Sequence, residues 1–244
     1  MIELCGITDV GLVRKENQDA YGVRELECGL AVCVVCDGMG GAAGGKLASR
    51  IAVETFVEDL EARLRPDMTP DELKEATACA IDKANQAIRD AAGQSERYQN
   101  MGTTLVSAVT CAQGAVVANV GDSRAYHITA DKIIRVTRDH SLVERMVEEG
   151  NLTPEEARHH PKRNLITRAL GPDVDAQCDC YLCGLNGGDF LLLCTDGLVN
   201  TVTDMEMFQE VRRGEPEDCL ERLLRIALSQ GAPDNVTAVL LRKV

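Results

Sequence analysis

Two hydrophobic rhythms alternate along the chain. Short apolar blocks bounded by Gly, Pro and Asp read as strands: IELCGIT, AYGVREL and GLAVCVVCD at the start, with Gly29 marking a hairpin. Two stretches with helical spacing follow. In Lys46–Leu64 the apolar positions are Leu47, Ile51, Phe56, Leu60 and Leu64, and in Pro70–Ala91 they are Leu73, Ala76, Ala80, Ala84, Ala87 and Ala91. Thr69-Pro70-Asp71-Glu72 forms a capping box with proline at the first helical position, which fixes where the second helix begins. Strands resume at GTTLVSAVTC and GAVVANVGD, joined by a tight turn at Ala112-Gln113-Gly114, and continue through SRAYHIT and KIIRVT. The segment Ser141–Arg168 turns helical and polar and carries a second capping box, Thr153-Pro154-Glu155-Glu156. After strands at CDCYLC and FLLLC come helices at Met205–Arg213 and Glu217–Ser229, and a last strand, NVTAVLLRKV.

Strands in hairpin runs and helices in pairs predict an α+β fold, with sheets packed on each other and helices on the outer faces. No proline- or glycine-rich linker divides the chain, so one domain over 1–244 is expected. Composition narrows the partners. A net charge of -13 leaves no basic surface to displace counterions from nucleic acid, and it argues equally against an anionic membrane. The start, MIELCGITDV, has neither the basic residues nor the apolar run of a signal peptide, and no apolar stretch reaches the length of a membrane span. A cytoplasmic, monomeric protein is expected. The odd count of 11 cysteines then reads as free thiols. Cys33 and Cys36 fall on opposite faces of one strand, and of Cys178, Cys180 and Cys183 only the first two share a face.

Chemistry enters with aspartates placed where apolar strands run out: Asp37 after AVCVVC, Asp196 after FLLLCT and Asp234 before NVTAVLL. A carboxylate at the end of a buried strand is desolvated and needs a compensating charge. With no cationic side chain beside them in sequence and no His or Cys at the same strand ends, they point to hard oxygen-seeking ions, Mg²⁺ or Mn²⁺ rather than Zn²⁺. The competing reading is that each aspartate only caps a turn, as in Asp37-Gly38 and Asp196-Gly197.

The motifs TDVGLVRKENQDAY, VCDGMGGAAGG, MGTTLVSAV, VGDSRAY, DHSLV, HPKRNLITRALG, LLLCTDGL and GAPDNVTAVLL extend in order from Thr8 to Val239. In that order the chain resembles the bacterial metal-dependent type 2C protein serine/threonine phosphatases. The resemblance implies an αββα sandwich with a binuclear metal centre at one end and a flap at 141–170. It implies hydrolysis of phosphoserine and phosphothreonine on proteins by attack of a metal-bridging hydroxide, opposing a bacterial serine/threonine kinase. Carried over, Asp37 would bridge two Mn²⁺ or Mg²⁺ ions, the Gly38 carbonyl would bind one, and Asp196 and Asp234 would complete the set. Asp19 would act through metal-bound water, Arg14 would bind the substrate phosphate, and Asp122 would hold a weaker third ion shared with Asp196. For Asp122 an Asp-Ser turn is the alternative, and for Lys15 a solvated surface position. His159, His160 and Arg163 of the flap are candidates for contact with the phosphoprotein. Two positions depart from relatives: glutamine at 18, whose amide can still reach a metal-bound water, and methionine at 39, where animal relatives carry a histidine.

A rival reading comes from Gly40–Leu47, GGAAGGKL, which nearly matches the nucleotide-binding pattern G-x-x-x-x-G-K-[ST]. Leu47 lacks the hydroxyl that would reach Mg²⁺, and hairpins do not build the parallel βαβ core that pattern serves.

Overall fold

The computed structural model describes residues 1–244, apart from the side chains of Ala42 and Ala43. The strands are β1 (Ile2–Asp9), β2 (Ala20–Glu25), β3 (Ala31–Cys36), β4 (Gly38–Met39), β5 (Gly102–Thr103), β6 (Leu105–Cys111), β7 (Gly114–Val120), β8 (Arg124–Ile128), β9 (Ile133–Arg135), β10 (Asp179–Gly184), β11 (Phe190–Cys194) and β12 (Val236–Lys243). The helices are α1 (Gly41–Arg63), α2 (Pro70–Ala92), α3 (Leu142–Glu148), α4 (Pro154–Arg158), α5 (Asp196–Val199), α6 (Asp204–Val211) and α7 (Pro216–Ser229).

Two five-stranded antiparallel sheets carry the fold, one ordered β1-β12-β11-β8-β9 and the other β10-β7-β6-β3-β2. Three apolar layers hold it together. Alternate residues of one strand serve two of them: Val32, Val34 and Cys36 of β3 pack under α1 and α2, while Cys33 and Val35 face the opposite sheet. Leu191, Leu193, Val239 and Leu241 meet them from the other side. The third layer lies between the first sheet and α6 and α7, around Leu192, Leu240, Met207, Leu220 and Leu223. Burial on both faces explains why β3 and β11 read as unbroken apolar runs, and β7 as one interrupted only by Asn119, where a one-sided antiparallel sheet would alternate. Phe56 and Leu60 are fully buried where α1 meets α2, and truncating either to alanine would cost about 3–5 kcal/mol.

The αββα sandwich agrees with the sequence expectation, with local differences. α1 begins at Gly41, five residues before Lys46, because Gly40 adopts φ 115° and turns the chain directly from β4 into the helix. The pairing of β4 with β5 has no sequence signature, since a two-residue ladder is too short to show a period. Ser141–Arg168 is mostly irregular and holds only α3 and α4. Its ends are tied down: Leu142 N–H donates to the Leu165 carbonyl at 2.8 Å and Thr167 N–H to that of His140 at 2.7 Å. Among the described residues, no helix is long and apolar enough to cross a membrane.

The antiparallel register gathers one set of strand ends. Ala20 pairs with Cys36, Leu105 with Val120, Arg124 with Cys194, and Asp9 with Val236. The start of β2, the end of β3, the end of β7, the end of β11 and the start of β12 therefore emerge together.

Candidate active site

At that end lies a cavity of about 580 Å³ whose wall includes Arg14, Gln18, Asp37, Gly38, Met39, Asp122, Asp196 and Asp234. The structure thus brings together the residues expected to hold metal or phosphate, except Asp19, which is not on the wall. Asp19 stands behind it, its Oδ2 accepting from Thr195 Oγ1 at 3.0 Å.

Hydrogen bonds fix the backbone that carries these carboxylates. Asp37 N–H donates to Thr104 Oγ1 at 3.0 Å, and the Asp37 carbonyl accepts from Thr104 N–H at 2.9 Å and Thr103 Oγ1 at 2.8 Å. Asn235 locks the entering loop: Oδ1 accepts from Gln18 N–H at 2.8 Å, and Nδ2 donates to the Val10 and Glu16 carbonyls. Gly38 passes so close to Gly45 that any Cβ there would strike the Gly45 carbonyl. His140 Nδ1 accepts from Gly121 N–H at 3.1 Å, just before Asp122; burial lowers the ring's pKa, so it stays neutral with its other nitrogen toward Asp179 at 3.3 Å. Thr104, Asn235 and His140 lie inside the quoted motifs, yet nothing in their residue type marks them as supports.

Electrostatically the site is short of positive charge. Burial, then the neighbouring carboxylates, pushes Asp37 well above the usual range, and burial with Asp234 beside it raises Asp196. Burial is the main cause at Asp19 and Asp122 too, which rise to about 7 and about 8. Asp19 Oδ1 and Asp196 Oδ1 are buried without any hydrogen-bond partner. Groups in this condition call for a bound cation. Among the described residues, no three His, Cys, Asp or Glu side chains converge closely enough to hold one ion by themselves. A hard ion that keeps several waters suits such spacing, and one that demands a closed protein cage does not.

Arg14 is the cation on this wall nearest the carboxylates in bonding terms: its Nη2 donates to Asp234 Oδ2 at 2.7 Å. The guanidinium is more than half exposed and lines the cavity, so the pair is weak and the remaining donors are uncommitted. Sequence reading did not anticipate this pair. The Gln18 amide, which could still reach a metal-bound water through its oxygen, donates from Nε2 to the Gly41 carbonyl at 3.0 Å and so braces the start of α1. From the flap, Asn164 and Ile166 reach the wall and His159, His160 and Arg163 do not. His159 is exposed and lies 3.4 Å from Glu155. Lys15, read as a plain surface residue, is part of the wall. The nucleotide-binding pattern finds no parallel strand–loop–helix unit: Gly41–Leu47 is already helix, and Leu47 packs against the core.

Comparison with known proteins agrees with this geometry. The Protein phosphatase 2C family profile matches residues 13–240. Protein phosphatase PhpP of Streptococcus pneumoniae is 36% identical over 242 residues, covering 98% of this chain and 97% of that one. The crystal structure of serine/threonine phosphatase Stp1 from Staphylococcus aureus superposes with a TM-score of 0.94 at 36% identity, covering 100% of this chain and 96% of that one. The catalytic domain of serine/threonine protein phosphatase PstP, solved in complex with two manganese ions, gives 0.84 at 30% identity over 99% and 97% of the two chains. With the family profile over most of its length and relatives matched end to end, the chain belongs to the protein phosphatase 2C family and is an enzyme of the serine/threonine protein phosphatase class.

Proposed function

We propose that this enzyme uses two core Mn²⁺ or Mg²⁺ ions held by Asp37, Asp196, Asp234 and the Gly38 carbonyl, with Asp19 acting through water and Asp122 holding a weaker third ion. The observation that carries this is the set of raised aspartates around one cavity, with buried oxygens of Asp19 and Asp196 left without a partner. The PstP domain that binds two manganese ions shares the fold, which supports the same choice here. Bound there, such ions supply Lewis-acid polarisation of the phosphoryl group and acidify water.

The chain's own residues do the rest. Asp37 sits on a backbone pinned by Thr103 and Thr104, so its carboxylate is held in place before substrate arrives. Arg14 presents a planar fork to two phosphate oxygens and gives up its weak contact with Asp234 to do so. The wall has no Cys or Ser, and its one threonine, Thr104, shares its hydroxyl with Ser123 at 2.7 Å. The wall's aspartates could in principle accept a phosphoryl group, but they are the ones proposed to hold the ions, so in this reading the phosphoryl group passes directly to water. Methionine at 39 has no dissociable proton, so in this reading the leaving group is protonated by water. The 141–170 segment acts as a flap over the same cavity, within one catalytic domain spanning 1–244. Substrates are phosphoproteins, in this reading those made in the cytoplasm by a serine/threonine kinase, and the enzyme works as a monomer.

The test is turnover of phosphoserine and phosphothreonine peptides by the purified protein with Mn²⁺, its loss in chelator and its return on adding Mn²⁺ back. Phosphopeptide binding with no turnover at saturating Mn²⁺ would refute the proposal.

A further inference from the structure

Beside the catalytic cavity lies a second one of about 590 Å³, lined by Val10, Lys15, Glu16, Asn17, Lys46, Leu47 and Arg50. Three cations and one carboxylate face it, on a chain whose net charge is -13. Lys46 and Arg50 are four residues apart on α1 and so project from one helix face. Lys15 comes to them from the loop between β1 and β2. Among the described residues, neither Lys15, Lys46 nor Glu16 has an ion-pair partner within 4.0 Å, and Arg50 meets only Glu54 at 3.8 Å with both side chains exposed. Such a pair leaves the guanidinium available. The polar floor is committed instead: Asn17 Nδ2 donates to Thr8 Oγ1 and its Oδ1 accepts from Asp19 N–H. The open donors are therefore the cationic ones.

The two cavities share Lys15 and Glu16 as wall residues. A polypeptide whose phosphoresidue occupied the catalytic cavity would have this one beside it, past Lys15. We propose that Lys15, Lys46 and Arg50 form a subsite for an anionic side chain, a carboxylate or a second phosphate, flanking the phosphoresidue of the substrate protein, and that it gives the enzyme a preference for acidic or multiply phosphorylated sequences. The inference rests on the phosphatase reading and adds to it the substrate class. It also gives a use to Lys46, the residue that made the glycine-rich stretch resemble a nucleotide loop. The same anion chemistry could come from a free nucleotide, but the shared wall with the catalytic cavity favours a group attached to the substrate. Acidity elsewhere on the surface repels acidic partners, so a cationic wall at this mouth also steers them to it.

The experiment compares phosphothreonine peptides that differ only in flanking residues, Asp and Glu against Asn and Gln, placed before the phosphoresidue in one series and after it in another. The unsubstituted enzyme should show a higher kcat/KM for the acidic peptide in one series. Lys46→Gln with Arg50→Gln should lower that value about five- to tenfold, leave the neutral-flanked peptide and p-nitrophenyl phosphate unchanged, and make the residual preference less sensitive to salt. Glu16→Gln should raise it about twofold on the acidic peptide, a gain that misfolding cannot mimic. Equal kcat/KM for acidic and neutral peptides in both series, or equal losses on all substrates in the double variant, would overturn the subsite. So would inhibition by free ATP that the double variant relieves while peptide kinetics stay unchanged, because that assigns the wall to a nucleotide. Absence of Mn²⁺-dependent turnover of the neutral peptide by the unsubstituted enzyme would instead sink the phosphatase reading.

Discussion

Arg14 and the aspartates differ in what each stands to lose. Arg14 touches Asp234 through one nitrogen in an exposed pair, so Arg14→Ala takes a competing cation from a carboxylate proposed to hold metal. Metal affinity should hold or tighten in that variant, while kcat/KM on phosphopeptides falls about 10- to 100-fold through loss of the charged bidentate contact. Lysine should replace it poorly, since a point charge lacks the paired donors. Wild-type kcat/KM in Arg14→Ala would remove Arg14 from the phosphate site. The aspartates separate by position. Asp37 sits among Asp19, Asp196, Asp122 and Asp234, each of which raises it, whereas Asp122 feels Asp196 and Asp139 and lies beside Arg124. Asp37→Asn should therefore nearly abolish turnover and core metal binding, while Asp122→Ala should keep two ions and raise the Mn²⁺ concentration needed. Calorimetric Mn²⁺ titration with steady-state kinetics ranks them, and loss of the core pair in Asp122→Ala would contradict the ranking. The identities of these residues were legible in sequence because aspartates at strand ends next to turn residues are conspicuous. Thr104, Asn235 and His140 were not, because what distinguishes them is a partner distant in sequence, such as the Asn235 amide bonded to the Val10 and Glu16 carbonyls.

Elements read from sequence where a period repeats and fail where contacts replace it. α2 was legible to within a residue, from Pro70 to Ala92, because its capping box and apolar stripe agree. β4, β5 and the start of α1 were not, since two-residue ladders and a glycine turn carry no period. The Ser141–Arg168 segment was expected to be more helical than it is: α3 and α4 are short, and ties such as Arg135 to Glu144 of α3 at 2.6 Å and Arg168 to Asp179 at 2.9 Å anchor it to the rest of the protein. The α1–α2 pair has a polar clasp that no periodicity reveals. Asp59 on α1 is buried and accepts from Arg63 at 2.5 Å and from Lys83 of α2 at 2.8 Å. Burial alone would raise its pKa, but the two cations outweigh that and hold it below the usual range. A depressed carboxyl stabilises the fold above its unfolded-state pKa and loses that contribution as pH falls through its folded value, so the effect belongs to the region below about pH 4. Asp59→Asn should cost about 2 kcal/mol at neutral pH, read as a lower urea midpoint with the slope unchanged. The difference from wild type should shrink in acid. An unchanged midpoint at neutral pH would show that the clasp contributes nothing.

For the whole molecule, the metal end is a stability problem that binding is expected to resolve. The sandwich gathers five aspartates at one set of strand ends and places Arg14 beside only one of them. With no metal bound, Asp19 and Asp122 titrate at about 7 and about 8, far above the value near 3.9 of an unfolded carboxyl. Between those limits the folded state holds protons that the unfolded state has released, so stability must fall as pH rises. It is greatest below the unfolded value and is lost by the time pH passes the folded ones. The metal-stripped protein should therefore melt at least roughly 5 °C lower near pH 8 than near pH 5, the shift that a kcal/mol or two, a fraction of the full linkage, produces in a chain of this size. Saturating Mn²⁺ replaces those protons, so it should raise the melting temperature most at the alkaline end and flatten the dependence. Proton release should accompany it, measurable near pH 6.5 as a dependence of the calorimetric binding heat on the ionisation enthalpy of the buffer. Asp37→Asn should diminish both the Mn²⁺-induced rise and the proton release. If the stripped protein melts at one temperature throughout this range, and Mn²⁺ binds without displacing protons, the carboxylates at this end are already neutralised by the protein and the proposed metal centre is wrong.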